Sequence, residues 1–226
     1  MLNMKVNKEN RQSVSLIKAF TLLATLTVSL LNLNSAVAAG DIKNGEQLSQ
    51  TCLGCHGAPG LRNPGPVYSI PMLGAQNAEY IVIALKAYKD KTRTHKTMQA
   101  QAASLSDQDM QDIAAYFAGI EGEARISAIS ASKIAAGKKL AGACAACHGN
   151  DGATTTTPDF PKLAGQYESY LAHALKEYRS GDRDNGIMAG FAKQMTIEDI
   201  EALSAWFASQ EADGVVAPKT TIFKFK

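Results

Sequence analysis

The pentapeptide Cys52-Leu53-Gly54-Cys55-His56 returns as Cys144-Ala145-Ala146-Cys147-His148, and the residues around the two copies can be laid over each other. From Gly45 to Pro66 the second copy runs 92 positions later, pairing Gly45 with Gly137, Leu48 with Leu140, His56 with His148 and Pro66 with Pro158. After a two-residue deletion the offset becomes 90. Pro71-Met72-Leu73-Gly74-Ala75-Gln76 then matches Pro161-Lys162-Leu163-Ala164-Gly165-Gln166, and Tyr80, Leu85, Tyr88 and Arg93 match Tyr170, Leu175, Tyr178 and Arg183. Near the end of each copy, Tyr116-Phe117 matches Trp206-Phe207. Two homologous units of roughly 85 to 90 residues follow, each small for a protein core.

Cys-x-x-Cys-His is the spacing that attaches a c-type heme. Two thiols about one helical turn apart can add to the two vinyl groups of one porphyrin, and the adjacent imidazole can reach the iron. Such a group would also supply the apolar volume that a unit of this size lacks. The rival readings are a redox dithiol or a four-cysteine zinc cluster. A histidine follows each pair, however, and the two motifs use all four cysteines of the chain. The expectation is two covalently bound heme c groups, on Cys52 and Cys55 and on Cys144 and Cys147, with His56 and His148 as proximal ligands.

The class is all-α. Ile81, Leu85 and Tyr88 stand at i, i+4 and i+7, and Met110, Ile113, Ala114 and Phe117 form the same kind of stripe, so 78 to 89 and 107 to 118 read as helices. Ser106 with Asp109, and Thr196 with Asp199, have the spacing of a capping box. Short helices starting near Ile42 and Ser132 complete each unit. Strand signals are absent, and the Gly- and Pro-punctuated stretches 57 to 74 and 149 to 165 read as loops around the heme edge.

A proximal histidine leaves the other face of the iron either open to substrate or closed by a second ligand. Homologous units should use the same position for that ligand. Met72 pairs with Lys162, Met110 with Ile200, and Met195 with Leu105, whereas Met98 and Met188 pair with each other. These two, in stretches read as irregular, are therefore the candidate axial ligands, and the other methionines read as core fillers. His95 pairs with Asn185 and stays a rival ligand in the first unit; His173 pairs with Ile83. Pro66 and Pro158, ten residues after each proximal histidine, are candidates for the carbonyl that accepts the imidazole N–H.

The chain opens with Lys5, Lys8, Arg11 and Lys18, an apolar run from Ala19 to Leu31, and the small residues Ala36-Val37-Ala38-Ala39-Gly40. That order reads as an export signal over 1–38, cleaved after Ala38 or Ala39, rather than a retained anchor. Its removal takes the formal charge from +2 to −1, which gives no reason to expect nucleic-acid binding. The expected organisation is one unit over 39–120, a linker over 121–132, a second unit over 133–213 and a tail over 214–226. The tail ends in the alternating run Thr220 to Lys226, either a docking strand or a poorly ordered end.

With these residues in hand, the sequence resembles the cytochrome c4 family of periplasmic diheme cytochromes c. The resemblance rests on the exported start at Ala39-Gly40-Asp41, both Cys-x-x-Cys-His sites, Pro161-Lys162-Leu163-Ala164-Gly165-Gln166, and Met98 and Met188 before each capped C-terminal helix. It implies two tandem class I cytochrome c domains related by a pseudo-twofold axis, hemes close across the interface, and His/Met ligation. It also implies that first and last helices cross at Gly45 and Gly137, against Tyr116-Phe117 and Trp206-Phe207. The function expected is a monomeric periplasmic carrier, not an enzyme, passing single electrons from a quinol-oxidising complex to a terminal oxidase, with membrane contact only through those partners. The rivals are a diheme peroxidase or sulfur-compound dehydrogenase, and a cytochrome subunit of a dehydrogenase complex.

Overall fold

Asp41 accepts from the backbone N–H groups of Lys43 (2.8 Å) and Asn44 (3.2 Å), and from that cap helix α1 runs Ile42–Leu48. The computed structural model describes residues 39–123, 128–211 and 213–218. The expected export signal therefore lies outside the described residues, as do 124–127 of the expected linker and the alternating run at the end of the tail.

After α1 come α2 (Gln50–His56), α3 (Ala78–Lys89), α4 (Lys96–Ala103) and α5 (Asp107–Ala118). The second unit repeats the order with α6 (Ala131–Leu140), α7 (Gly142–His148), α8 (Glu168–Ser180), α9 (Gly186–Ala192) and α10 (Ile197–Ala208). The periodic stripes form the two cores. Leu53, Ile81, Leu85, Met110, Ile113, Ala114 and Phe117 are buried together, and in the second unit Ala141, Leu171, Leu203, Phe207 and Ala208 are. Both capping boxes are made: Ser106 Oγ and Thr196 Oγ1 each accept the N–H of the aspartate three residues on (3.1 Å). Asp109 and Asp199 return the bond to the cap residue's own N–H at 2.8 and 2.9 Å.

In each unit the first and last helices cross at a glycine, because only there can two backbones touch. A Cβ on Gly45 would collide with the Asp112 carbonyl and sit 3.0 Å from the Cβ of Tyr116. One on Gly137 would collide with the Ala202 carbonyl and sit 2.7 Å from the Cβ of Trp206. Each neighbour is helix backbone, which cannot move aside alone. Gly45→Ala and Gly137→Ala are therefore expected to destabilise their units by about 1–3 kcal/mol or more, seen as a lower denaturant midpoint. Gly142→Ala, where an added Cβ meets nothing within 4 Å, should leave the midpoint nearly unchanged.

The expectation of no strands is corrected in two places. Arg62–Pro64 (β1) and Val67–Ser69 (β2) form a hairpin in register Arg62↔Ser69, Asn63↔Tyr68, Pro64↔Val67. Three residues a side is too short to show a period, and the pairing is reinforced from outside, since buried Tyr68 stacks on His173 of the other unit. Gly122–Glu123 (β3), in the expected linker, pairs with Ala217–Pro218 (β4), in the expected tail. Just before β4, the Val215 N–H donates to the Ala164 carbonyl (3.0 Å) and the Val216 N–H to the Gly74 carbonyl (2.8 Å). Gly74 and Ala164 are repeat mates, so the start of the tail fastens both units, with Val215 fully buried beside Met72.

Candidate heme centres and the interface between them

Helices α2 and α7 carry the two pentapeptides, and i, i+3 spacing turns both thiols of each pair to one face. None of the four cysteines is in a disulfide. Burial pushes the Cys52 and Cys144 thiols up, away from the thiolate that dithiol exchange or zinc would use. Among the described residues no three His, Cys, Asp or Glu side chains converge to hold a metal ion, so the two pairs do not form one zinc cluster.

Each proximal histidine is oriented by a carbonyl. His56 Nδ1 donates to the Pro71 carbonyl at 2.8 Å, and His148 Nδ1 to that of Pro161 at 2.9 Å. The proton is thereby fixed on Nδ1 and the Nε2 lone pair is free for iron. Burial holds both rings below the usual histidine range, which keeps them neutral. Pro66 and Pro158 do not play this part. Both are exposed, and the Pro66 carbonyl instead accepts from Asn63 Nδ2 at 2.8 Å, inside the hairpin. The usable signal is the repeat itself, which also aligns Pro71 with Pro161.

Met98 and Met188 are not in irregular stretches; they occupy the third positions of α4 and α9. The Met98 N–H donates to His95 Nδ1 at 3.2 Å, and the Met188 N–H to Asn185 Oδ1 at 3.0 Å. His95 and Asn185 are thus equivalent N-caps despite their different chemistry. An Nδ1 used as acceptor leaves the neutral His95 ring protonated on Nε2, with no lone pair for iron. Met98 packs on the first core together with Cys52.

In the second unit Cys144, Cys147, His148 and Met188 line one cavity with apolar walls that include Leu171 and Phe207. Two thiols, one imidazole and one thioether around an apolar slot are the donor set and shape that a covalent heme requires, so the residues fit the group. The other unit supplies part of the wall, through Tyr80, Ile83 and Arg93.

That shared wall is built from reciprocal contacts between repeat mates. The Met72 N–H donates to Gln166 Oε1 (3.1 Å) while Gln166 Nε2 donates to the Met72 carbonyl (2.9 Å). Gln76 makes the same pair with Lys162, at 2.8 and 3.0 Å. Thr94 N–H donates to the Asp182 carbonyl (2.8 Å), and Asp184 N–H to that of Thr92 (2.9 Å). Arg93 Nη2 donates to the Tyr170 hydroxyl (2.9 Å), and Arg183 Nη2 to that of Tyr80 (2.5 Å). Each guanidinium also lies over a tyrosine of its own unit, Arg93 on Tyr88 at 4.5 Å and Arg183 on Tyr178 at 4.4 Å. Arg93 Nε, buried, has no partner among the described residues, as suits a site whose bound group brings acidic substituents. The repeat aligns these glutamines, tyrosines and arginines with their mates, but nothing local marks a glutamine or arginine as buried.

The cytochrome c family profile matches residues 42–120 and again 134–211. Cytochrome c4 of Pseudomonas aeruginosa is 35% identical over 196 residues, covering 82% of this chain and 96% of that protein. This chain belongs to the cytochrome c4 family. The crystal structure of reduced recombinant cytochrome c4 from Pseudomonas stutzeri superposes with a TM-score of 0.66 at 32% identity, covering 76% of this chain and all of that one. A thiosulfate dehydrogenase electron acceptor from Stutzerimonas stutzeri is 31% identical over 175 residues, 71% of this chain and 79% of that protein. The family membership makes the chain a diheme electron-transfer cytochrome of two tandem, mostly helical domains, binding heme c covalently at two Cys-x-x-Cys-His sites.

Proposed function

We propose that the mature chain is a periplasmic electron carrier in which His56 with Met98, and His148 with Met188, close both faces of the two irons. The observation that carries this is the equivalence of Met98 and Met188, each at the third position of a short helix and each held by the cap side chain three residues before it. Paired methionines leave no iron position for a small substrate. With heme bound, a methionine thioether as second ligand would favour the ferrous state, which suits the oxidising side of a respiratory chain. Bound heme supplies the one-electron ferric–ferrous couple. The chain's own residues hold the imidazoles in one tautomer, exclude water from the slot and bring the two sites to a common wall of buried tyrosine, arginine and glutamine.

In this reading residues 1–38 direct export and are removed, single electrons enter from a quinol-oxidising complex, and a terminal oxidase takes them. The relative described as a thiosulfate dehydrogenase electron acceptor supports a second donor class, a soluble dehydrogenase. Partner contacts are small and transient in either case.

The test is to purify the exported holoprotein, determine its N-terminal residue and heme content, and expose the ferrous form to carbon monoxide. Two hemes per chain that show the ferric near-infrared thioether band and resist carbon monoxide are the expected result. A heme that binds carbon monoxide readily sinks the carrier reading for that domain and points to a substrate site there.

A further inference from the structure

The interface has near-perfect reciprocity, and its exceptions sort the two heme sites apart. On the 90-residue offset, α3 of the first unit overlays α8 of the second, and Ile83 and Ala87 become His173 and Glu177. Ile83 and Ala87 line the cavity around Cys144, Cys147, His148 and Met188. The reciprocal bonds of Gln166 with Met72 and Gln76 with Lys162, and of Arg93 with Tyr170 and Arg183 with Tyr80, relate the two units by a twofold, and that relation places His173 and Glu177 toward the first heme site. Both also lie close enough to His95, the cap of the helix that carries Met98, for their charges to act on it. The second site therefore meets an aliphatic wall where the first meets an ionisable pair.

That pair is well built. His173 Nε2 is 3.1 Å from Glu177 Oε1 one helical turn on, with the side chains only 19% and 11% exposed. The imidazole stacks on buried Tyr68 of β2, centroids 3.9 Å apart and planes within 15°. Around it stand Tyr68 from the hairpin, Arg93 and His95 from the segment before α4, and Tyr170 and Glu177 on its own helix. Tyr68 is pushed up to about 12 by burial and stays neutral, Arg93 stays cationic, and burial lowers His95 toward its neutral form.

We propose that the His173–Glu177 pair is a proton-binding group of the first heme site, taking up a proton when that iron is reduced and making that site, but not the second, respond to pH. The inference rests on the two-heme reading above. With heme bound at Cys52 and Cys55, the one electron that a donor would deliver to the iron would be accompanied by a fraction of one proton passing from solvent to His173. In the neutral ring Nε2–H donates to Glu177, so the incoming proton forms an N–H bond at Nδ1 and no other bond changes. With His173 charged the pair is net neutral; with it uncharged the pair is −1 and favours ferric iron. Histidine is the side chain suited to change charge between about pH 5 and 8. Across that range, rising pH should lower the first potential and shift the electron equilibrium toward the second site by on the order of three- to tenfold.

The test is potentiometric titration of the holoprotein at several pH values, with the steps assigned through heme-methyl NMR signals. Expected are two one-electron steps, of which only the first site's moves by that factor. His173→Ile, which installs the residue that faces the second site, should flatten the first profile and leave the second alone. Glu177→Gln, which removes the negative charge of the pair, should raise the first potential at high pH. Heme acid groups could titrate as well; a pH response of the first site that survives His173→Ile assigns it to them and overturns the proposal. Equal responses of both sites also overturn it. Should His173→Ile fail to load heme, an unchanged profile in Glu177→Gln overturns it in the same way. Failure of the two-heme reading looks different, as fewer than two one-electron steps or a missing thioether band in the unsubstituted protein.

Discussion

Met188→Ala is expected to keep both covalent hemes while opening one iron. Heme content should stay at two per chain, since Cys144, Cys147 and His148 are untouched, and His148 keeps its bond to Pro161. The near-infrared thioether band should fall by about half, carbon monoxide should bind to one heme per chain, and the second potential should drop by on the order of 0.1 V or more, within the range that axial ligands control. Met98→Ala should do the same to the first site. Met195 is the needed control, because it also lines the second cavity and packs on the second core. Met195→Ala should lower stability by about 2–5 kcal/mol at most and leave the band and carbon monoxide behaviour as they were. Loss of the band in Met195→Ala, with its retention in Met188→Ala, would reverse the ligand assignment.

Much of this fold is legible because its signals are local. Helices α3 and α5 begin and end where the apolar stripes and the Ser106–Asp109 box place them, and their copies follow. The crossings at Gly45 and Gly137 are where the family resemblance puts them, although the colliding atoms are the carbonyls of Asp112 and Ala202, one turn before the aromatic pairs. What stays hidden depends on the other unit. The β1–β2 hairpin carries no alternation, and its one buried residue, Tyr68, is covered by α8. His95 and Asn185 look like a mismatch in the repeat, yet both offer an acceptor to the N–H three residues on, a role that chemical identity does not reveal. Distance from the histidine counted along the chain favours Pro66 over Pro71, whereas the hairpin, with Pro66 in its turn, lies between His56 and Pro71 and shortens the path in space.

The second large effect concerns the glutamines, and it decides whether the two units behave as one. Gln76 and Gln166 are 4% and 3% exposed, and each amide holds both the N–H and the carbonyl of one residue in the opposite unit. The turns that present them are left-handed at Ala75 (φ 59°) and Gly165 (φ 71°), so the first repeat accepts the strain of a non-glycine residue to aim its amide. Gln166→Ala strands the Met72 N–H and carbonyl inside the protein, at about 1–3 kcal/mol for each group left unpaired. Gln76→Ala removes the partners of the partly buried Lys162 N–H and carbonyl. The double variant leaves four groups without these partners, and an interface that loses on the order of 4–12 kcal/mol no longer couples domains of this size. Calorimetry of the holoprotein should then show two separated transitions where the unsubstituted protein shows one. Both hemes and both thioether bands should survive, because neither glutamine hydrogen-bonds to the cysteines, the proximal histidines or Met98 and Met188. A single transition in the double variant would mean that the Arg93–Tyr170 and Arg183–Tyr80 pairs and the Val215–Val216 strap hold the interface without the amides. The electron equilibrium between the sites gives a second readout, since separating the units removes the His173–Glu177 pair from the first heme and should erase its pH response together with the coupling.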